Sequence, residues 1–202
     1  MSGSSSPEIL RVGVVADTHV PDRARTLHPQ LIPGLAASGV SQILHAGDVC
    51  VPAVLDQLAQ VAPVTAVGGN RDWLFRSRLP LVCFLEILGI SVALLHGHGG
   101  FLPYFKDKWY YLVEGYQQAR YMTRLQKFAP AAKVIVFGHT HRPVNLWQGD
   151  QLFFNPGSAS IEPERSGNPS YGILHFAADG SVRGEIIEMN GARLVNGSWV
   201  QH

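Results

Sequence analysis

The stretch KVIVFGHTHRP, residues 133–143, joins two kinds of sequence end to end. Val134, Ile135, Val136 and Phe137 form an apolar, β-branched and aromatic run of the kind that makes a buried strand. Gly138, His139, Thr140 and His141 follow directly, with Pro143 two residues further on. A buried strand that stops at two histidines one residue apart presents ring nitrogens at the edge of its sheet. The pattern recurs four times. ILRVGVVADTH (9–19) ends in Asp17 and His19, SQILHAGD (41–48) in Asp48, PVTAVGGN (63–70) in Asn70, and SVALLHGH (91–98) in His96 and His98.

Helix-like segments lie between these runs. VPAVLDQLAQ (51–60) carries Pro52 near a first-turn position, where its missing N–H is harmless. HPQLIPGLAAS (28–38) contains Pro33 and Gly34, so only its second half is expected to be helical. The longest helix is expected over about 108–128, with Leu112, Tyr116, Ala119, Met122 and Leu125 as its apolar stripe. Alternating strand and helix implies parallel pairing with right-handed crossovers. Ligands then bind along the carboxyl ends of the strands, so five donor-bearing ends spread over the chain should converge. After Asn145 the pattern changes to hairpins, at Gly149-Asp150 and at Asp179-Gly180. Those strands are expected to complete a second, more antiparallel sheet packed on the first.

Length and composition fit one folded domain: 202 residues, 46% apolar, 15% charged. Residues 1–8 are expected to be a flexible N-terminal tail and 9–202 a single domain. A net charge of +1 provides no field for non-specific nucleic-acid or membrane binding. The N-terminus lacks a basic start and its apolar run is short, so a cytoplasmic protein is expected, without a membrane span. Cys50 and Cys83 have no CxxC spacing and read as buried, inert thiols.

In locally extended backbone, residues i and i+2 point to one side. On that basis Asp17 with His19, and His139 with His141, each present two groups to one volume. Adding Asp48, Asn70 and His96 gives seven oxygen or nitrogen donors. Such a mixed set suits Mn, Fe, Co, Ni or Zn and argues against calcium. Two divalent ions sharing a carboxylate is the arrangement used for in-line displacement at phosphorus. Each residue taken alone has a plainer reading: Asp17 or Asp48 as a helix N-cap, His96 as a hydrogen-bonded core histidine. Their joint order at strand ends favours the metal site.

The series DTH, GD, GGN, HGH and GHTH, in that order, resembles the calcineurin-like metallophosphoesterase superfamily. It is most similar to the small single-domain phosphodiesterases of bacteria and archaea, the branch related to the phosphoesterase-like subunit of retromer. The resemblance covers about 12–160 and includes NPGS at 155–158. It implies an α/β fold, two packed mixed β-sheets flanked by helices in an α-β-β-α sandwich. It also implies Asp17, His19 and His141 on one metal, Asn70, His96 and His139 on the other, and Asp48 bridging. The implied function is a binuclear, manganese-type phosphodiesterase acting on a small, nucleotide-derived or other phosphodiester. A phosphomonoesterase or nucleotidase, or a metal-binding protein-interaction scaffold, are the alternatives.

One position departs from the family. Larger relatives place a proton-donating histidine after the asparagine of the GN motif, where this chain has Arg71. An arginine clamps a phosphate oxygen but is a poor acid. His98 is therefore the candidate acid, with Arg71 and His139 beside the reacting phosphate. His45 reads as structural or as a support behind the donors, His28 and His175 as incidental, and Asp72 as support for its loop or for Arg71. The aromatic segment 100–116 reads as core packing, as a site mouth with Phe101, Leu102 and Tyr104, or as a homo-oligomer contact. A dinucleotide-binding fold is disfavoured because no glycine-rich turn follows the first strand, and no GxSxG supports a serine hydrolase.

Overall fold

A computed structural model describes residues 9–75, 78–98, 117–160 and 168–201. The expected tail, Phe101, Leu102 and Tyr104, and the first part of the expected long helix lie outside those residues. Five strands form the first sheet: β1 (Ile9–Val15), β2 (Gln42–His45), β3 (Val64–Ala66), and two from late in the chain, Ser170–Ala177 and Val182–Glu188. The second sheet contains β4 (Val82–Ile87), β5 (Ile90–Leu95), β6 (Val134–Val136), β7 (Val144–Gln148) and β8 (Gln151–Asn155). With the two late strands numbered β9 and β10, the orders are β10-β9-β1-β2-β3 and β4-β5-β6-β8-β7. Both sheets are mixed. The β1–β2, β2–β3, β5–β6 and β6–β8 pairs are parallel, and the remaining ladders antiparallel.

Strand periodicity explains the layering. Val134 and Val136 of β6 join Val12 and Val14 of β1, Leu44, Leu94, Phe154 and Phe176 between the sheets. The alternate residues Ile135 and Phe137 face outward onto a third helix, α3 (Gln118–Phe128). Val15 and Ile43 likewise face the first two helices, α1 (Leu31–Ala37) and α2 (Pro52–Ala59). Both faces of the central strands are covered, which is why they read as unbroken apolar runs rather than alternating ones. The result is the four-layer α-β-β-α sandwich.

Several expectations change in detail. The two hairpins do not share a sheet: β7–β8 extends the second, and β9–β10 extends the first. The donor-bearing strands are also divided, β1, β2 and β3 against β5 and β6. The helix α1 begins before Pro33, which occupies a first-turn position and costs no hydrogen bond. Its Gly34 is needed for space, because a Cβ there would lie 2.5 Å from the Tyr171 hydroxyl. The third helix is described over Gln118–Phe128, α3. It buries Tyr121, Met122 and Leu125, whereas Ala119 from the expected stripe is exposed. Cys50 is buried but Cys83 only half-buried.

A further hairpin, β11 (Ala192–Val195) and β12 (Ser198–Gln201), turns through Asn196-Gly197, both with positive φ. Trp199 donates to the Thr26 carbonyl at 2.9 Å and packs on His28, ring centres 4.5 Å apart. His28 is thus a buried packing residue and not an incidental one. Among the described residues no helix is long and apolar enough to cross a membrane.

Candidate metal centre

The loops leaving β1 and β2 run side by side, with the Asp17 amide donating to Gly47 O and the His19 amide to Asp48 O, both at 3.0 Å. The loop after β3 is pinned to them by one carboxylate. Asp72 accepts from the amides of Gly69 (2.6 Å), Cys50 (2.6 Å) and Asp48 (3.1 Å). Below the site, Ser158 and Ser160 donate their hydroxyls to the Asp17 carbonyl at 2.9 and 3.0 Å. Asn155 holds the Gly138 carbonyl and the Thr140 hydroxyl from the NPGS turn. The turn therefore sits under the histidine loop after β6, and Ser160 is an anchor that no motif marked.

Asp17, His19, Asp48, His96 and His141 converge at the mouth of these loops. Asp17, His19 and His141 form one group, and Asp17, Asp48 and His96 another, with ligand atoms within 4.8 Å of one another in each. Asp17 Oδ2 accepts the His139 amide at 3.0 Å. Its Oδ1 is buried without a hydrogen bond among the described residues, 3.3 Å from His141 Nε2, 3.8 Å from His19 Nε2 and 3.9 Å from His96 Nε2. Asp48 turns Oδ2 toward His19 Nε2 (3.7 Å) and Oδ1 toward His96 Nε2 (3.5 Å). Asn70 Oδ1 lies 3.2 Å from the same His96 nitrogen. His139 stands further out, its ring centre 5.1 Å from that of His96.

The shared orientation does not arise from extended backbone. Asp17, His19, Asp48, His139 and His141 all have φ between 50° and 69°. That left-handed region costs an ordinary L-residue on the order of 1–2 kcal/mol, and such strain concentrates where a site demands a direction. Glycine takes the crowded position between strand and histidines: a Cβ on Gly138 would be 2.9 Å from both Ala46 O and Asp17 Oδ2.

The electrostatics suit cations. Burial works against ionising Asp17 and Asp48, but His141 beside the first and His96 beside the second outweigh it and hold both carboxyls below the usual range. Burial pushes His19 down to about 4 and His139 to about 3, keeping both rings neutral. Burial also opposes charge on His96, yet Asp48 and Asp17 raise it to about 9. Its Nδ1 is 2.7 Å from Ala46 O and donates there, so Nε2 is the nitrogen turned to the carboxylates. His19 and His141 set their Nε2 atoms 3.1 Å apart beside the orphaned Asp17 oxygen. At most one proton fits between two such lone pairs, whereas a divalent cation satisfies both and the carboxylate together. The donor set fits transition-metal ions.

The remaining residues frame this cluster. Arg71 gives its amide to Asp48 Oδ1 at 2.8 Å, while its guanidinium Nε lies 3.5 Å from Asp22 Oδ2. Asp22 is a residue that sequence reasoning passed over. Asp72 supports the loop as expected and does not bind Arg71. His45 is wholly buried, accepting the Gly47 amide on Nδ1 and meeting the Thr18 hydroxyl with Nε2, each at 3.2 Å. His98 is buried beside His96, and neither ring nitrogen has a hydrogen bond among the described residues. Trp73, three residues after Asn70, packs edge-on against it and was not singled out in the sequence.

Comparison with known proteins agrees with this geometry. A model of the calcineurin-like phosphoesterase superfamily domain matches residues 10–179. A probable metallophosphoesterase of Methanothermobacter thermautotrophicus is 34% identical over 165 residues, which is 82% of this chain and 85% of that protein. The structure of vacuolar protein sorting 29 from Cryptosporidium parvum superposes with a TM-score of 0.66 at 19% identity, covering 90% of this chain and 98% of that one. A structure described as a novel archaeal phosphodiesterase gives 0.58 at 20% identity, over 88% and 100% of the two chains. At those identities the two structures speak for the fold alone. The matched span runs from β1 past β9 and takes in every donor of the cluster, and on that match the chain belongs to the calcineurin-like phosphoesterase superfamily.

Proposed function

We propose that this phosphoesterase is a phosphodiesterase that works with two divalent transition-metal ions, manganese foremost. The observation that carries the reading is the attitude of Asp48, whose two oxygens face different imidazoles, His19 and His96. Asp17, His19 and His141 would hold one ion, Asn70, His96 and His139 the other, with Asp48 between them. Bound there, the pair would supply Lewis acidity toward phosphoryl oxygens and lower the pKa of an attacking water.

The chain's own residues set the terms of binding. Asp17 and Asp48 stay ionised, and the neutral imidazoles of His19 and His139 keep their lone pairs for ligation. Arg71, at the rim, offers N–H donors to a phosphate oxygen. Asp22 offsets part of its charge, which favours a singly charged diester over a doubly charged monoester. Arg71 cannot pass a proton to a departing oxygen at neutral pH. His98, whose ring nitrogens have no hydrogen bond among the described residues, is the candidate for that step, against a burial that pushes it down to about 4. The archaeal phosphodiesterase with the same fold supports this reading.

The test is a turnover panel: aryl phosphodiester, aryl phosphomonoester, linear dinucleotide and glycerophosphodiester under Mn, Fe, Co, Ni and Zn. The expected result is diester hydrolysis with at least one metal, at higher kcat/KM than the monoester. Faster monoester turnover would make the protein a monoesterase. Absence of turnover together with no metal by elemental analysis would favour a scaffold.

A further inference from the structure

The turn that follows Asn70 carries three large apolar side chains in a row, and all three reach solvent. Trp73 is 38% exposed, Leu74 70% and Phe75 37%. Consecutive exposed apolar residues work against solubility unless they serve a function. Their backbone is not loose. The Leu74 amide bonds Arg71 O at 2.9 Å and the Phe75 amide bonds Asp72 O at 3.2 Å, while Asp72 ties the turn to the loop bearing Asp48. The rings are thus presented on a frame fixed to the metal-ligand loops.

Trp73 is one ring removed from the cluster. Its indole meets His98 at 4.9 Å between centres and 75° between planes. His98 in turn lies 5.4 Å from His96 and 6.3 Å from His139. His98 is 2% exposed, and its two ring nitrogens have no hydrogen bond among the described residues. A half-exposed indole beside His98, which in turn lies next to His96 and His139, makes a short gradient from apolar platform to phosphate site. Phosphodiesters of nucleosides have that polarity: a planar ring, then a polar linker, then an anionic group. Indole faces stack on such rings without regard to base identity.

We infer that Trp73 is a specificity-determining residue, the platform on which a planar aromatic ring of the substrate stacks, with His98 bonding the polar atoms between ring and phosphate. This rests on the phosphodiesterase reading for its chemistry, and it narrows the substrate class to ring-bearing diesters. The shared chemistry is a flat π-face, whether nucleobase or aryl group.

The experiment measures, for wild type, Trp73→Ala and Trp73→Phe, the ratio of kcat/KM for ring-bearing diesters over a glycerophosphodiester. Trp147→Ala, at an exposed tryptophan on β7 remote from the loop, is the control. Trp73→Ala should lower the ratio by about 5- to 150-fold, the range for losing one stacked ring, while Trp73→Phe retains most of it and Trp147→Ala changes nothing. A loss confined to the dinucleotide identifies a nucleobase as the ring; equal loss on the aryl diester identifies any flat ring. An unchanged ratio in Trp73→Ala overturns the inference, as does equal loss on ring-free substrate. Should no metal give diester turnover, the phosphodiesterase reading fails separately, and the platform is then judged by equilibrium binding of a nucleoside monophosphate. Weaker binding in Trp73→Ala than in Trp147→Ala upholds it, and equal or absent binding in all three overturns it.

Discussion

The two sides of the cluster are built differently. On one side Asp17, His19 and His141 are buried or nearly so and turned by left-handed backbone, with Ser158 and Ser160 gripping the Asp17 carbonyl from below. The backbone there is gripped by the protein, while Asp17 Oδ1 and His19 Nδ1 are buried without a hydrogen bond among the described residues. On the other side Asn70, His96 and His139 share their surroundings with Arg71, His98 and Trp73, and several of those atoms are unspent or reach solvent. The closed side carries the donors that the DTH and GHTH motifs pointed to, and Arg71, where the sequence departs from the resemblance, follows Asn70 on the open side. Metal chemistry tolerates little variation in its donors, whereas recognition of what is attached to phosphorus must differ from one enzyme to the next.

Asp48 belongs to both sides, so its loss should have the largest effect. Asp48→Ala is expected to lower kcat/KM by at least about 10³-fold and to reduce bound metal on both sides in elemental analysis. Asn70→Ala, confined to the open side, should keep the ion of the closed side. If both variants lost the same metal, the division would be wrong. Next in size is the double change Ser158→Ala with Ser160→Ala, which removes the grip on Asp17 without touching a donor. Partners that orient metal ligands are worth about 10–100-fold in affinity, and a chelator competition titration should show that loss on the closed side.

The smallest effect concerns His45, buried behind the closed side. Burial holds it at about 4 against an ordinary 6.5, so the unfolded chain binds the proton more readily between those values. Its contribution to stability is therefore lost as pH falls from about 6.5, levelling out below 4. By pH 5 the loss approaches roughly 2 kcal/mol. The metal-free protein should show a larger drop in melting temperature between pH 7 and 5 than His45→Asn does. Equal drops would remove His45 from the account.

The candidate donors were legible because each ends an apolar run, and apolar runs are the strongest local signal a chain carries. The order of motifs then supplied the family and with it the sandwich. Sheet membership was not legible. β9 pairs with β1 from more than a hundred residues away, and nothing local in YGILHFA distinguishes joining one sheet from joining the other. The left-handed backbone at Asp17, His19, His139 and His141 was also hidden, since no glycine or asparagine stands at those positions to announce it. Trp73 escaped notice because exposure is a property of the folded turn. Ser160 escaped because its partner is a backbone carbonyl, which has no residue identity.

The partnership of Ser158, Ser160 and β9 with the β1 loop also bears on how the protein is made. All seven proposed ligands lie between residues 17 and 141, so a ribosome has released every one of them before β8 has emerged. Until β8, the serine loop and β9 arrive, β6 lacks one neighbour, β1 lacks another, and the Asp17 carbonyl has nothing to hold it. A nascent chain of that length carries the full list of donors and no centre. Capture of metal would then mark the moment when synthesis has passed the last strand of the first sheet's core, and a chain cut short would be unable to hold metal in the place where it reacts.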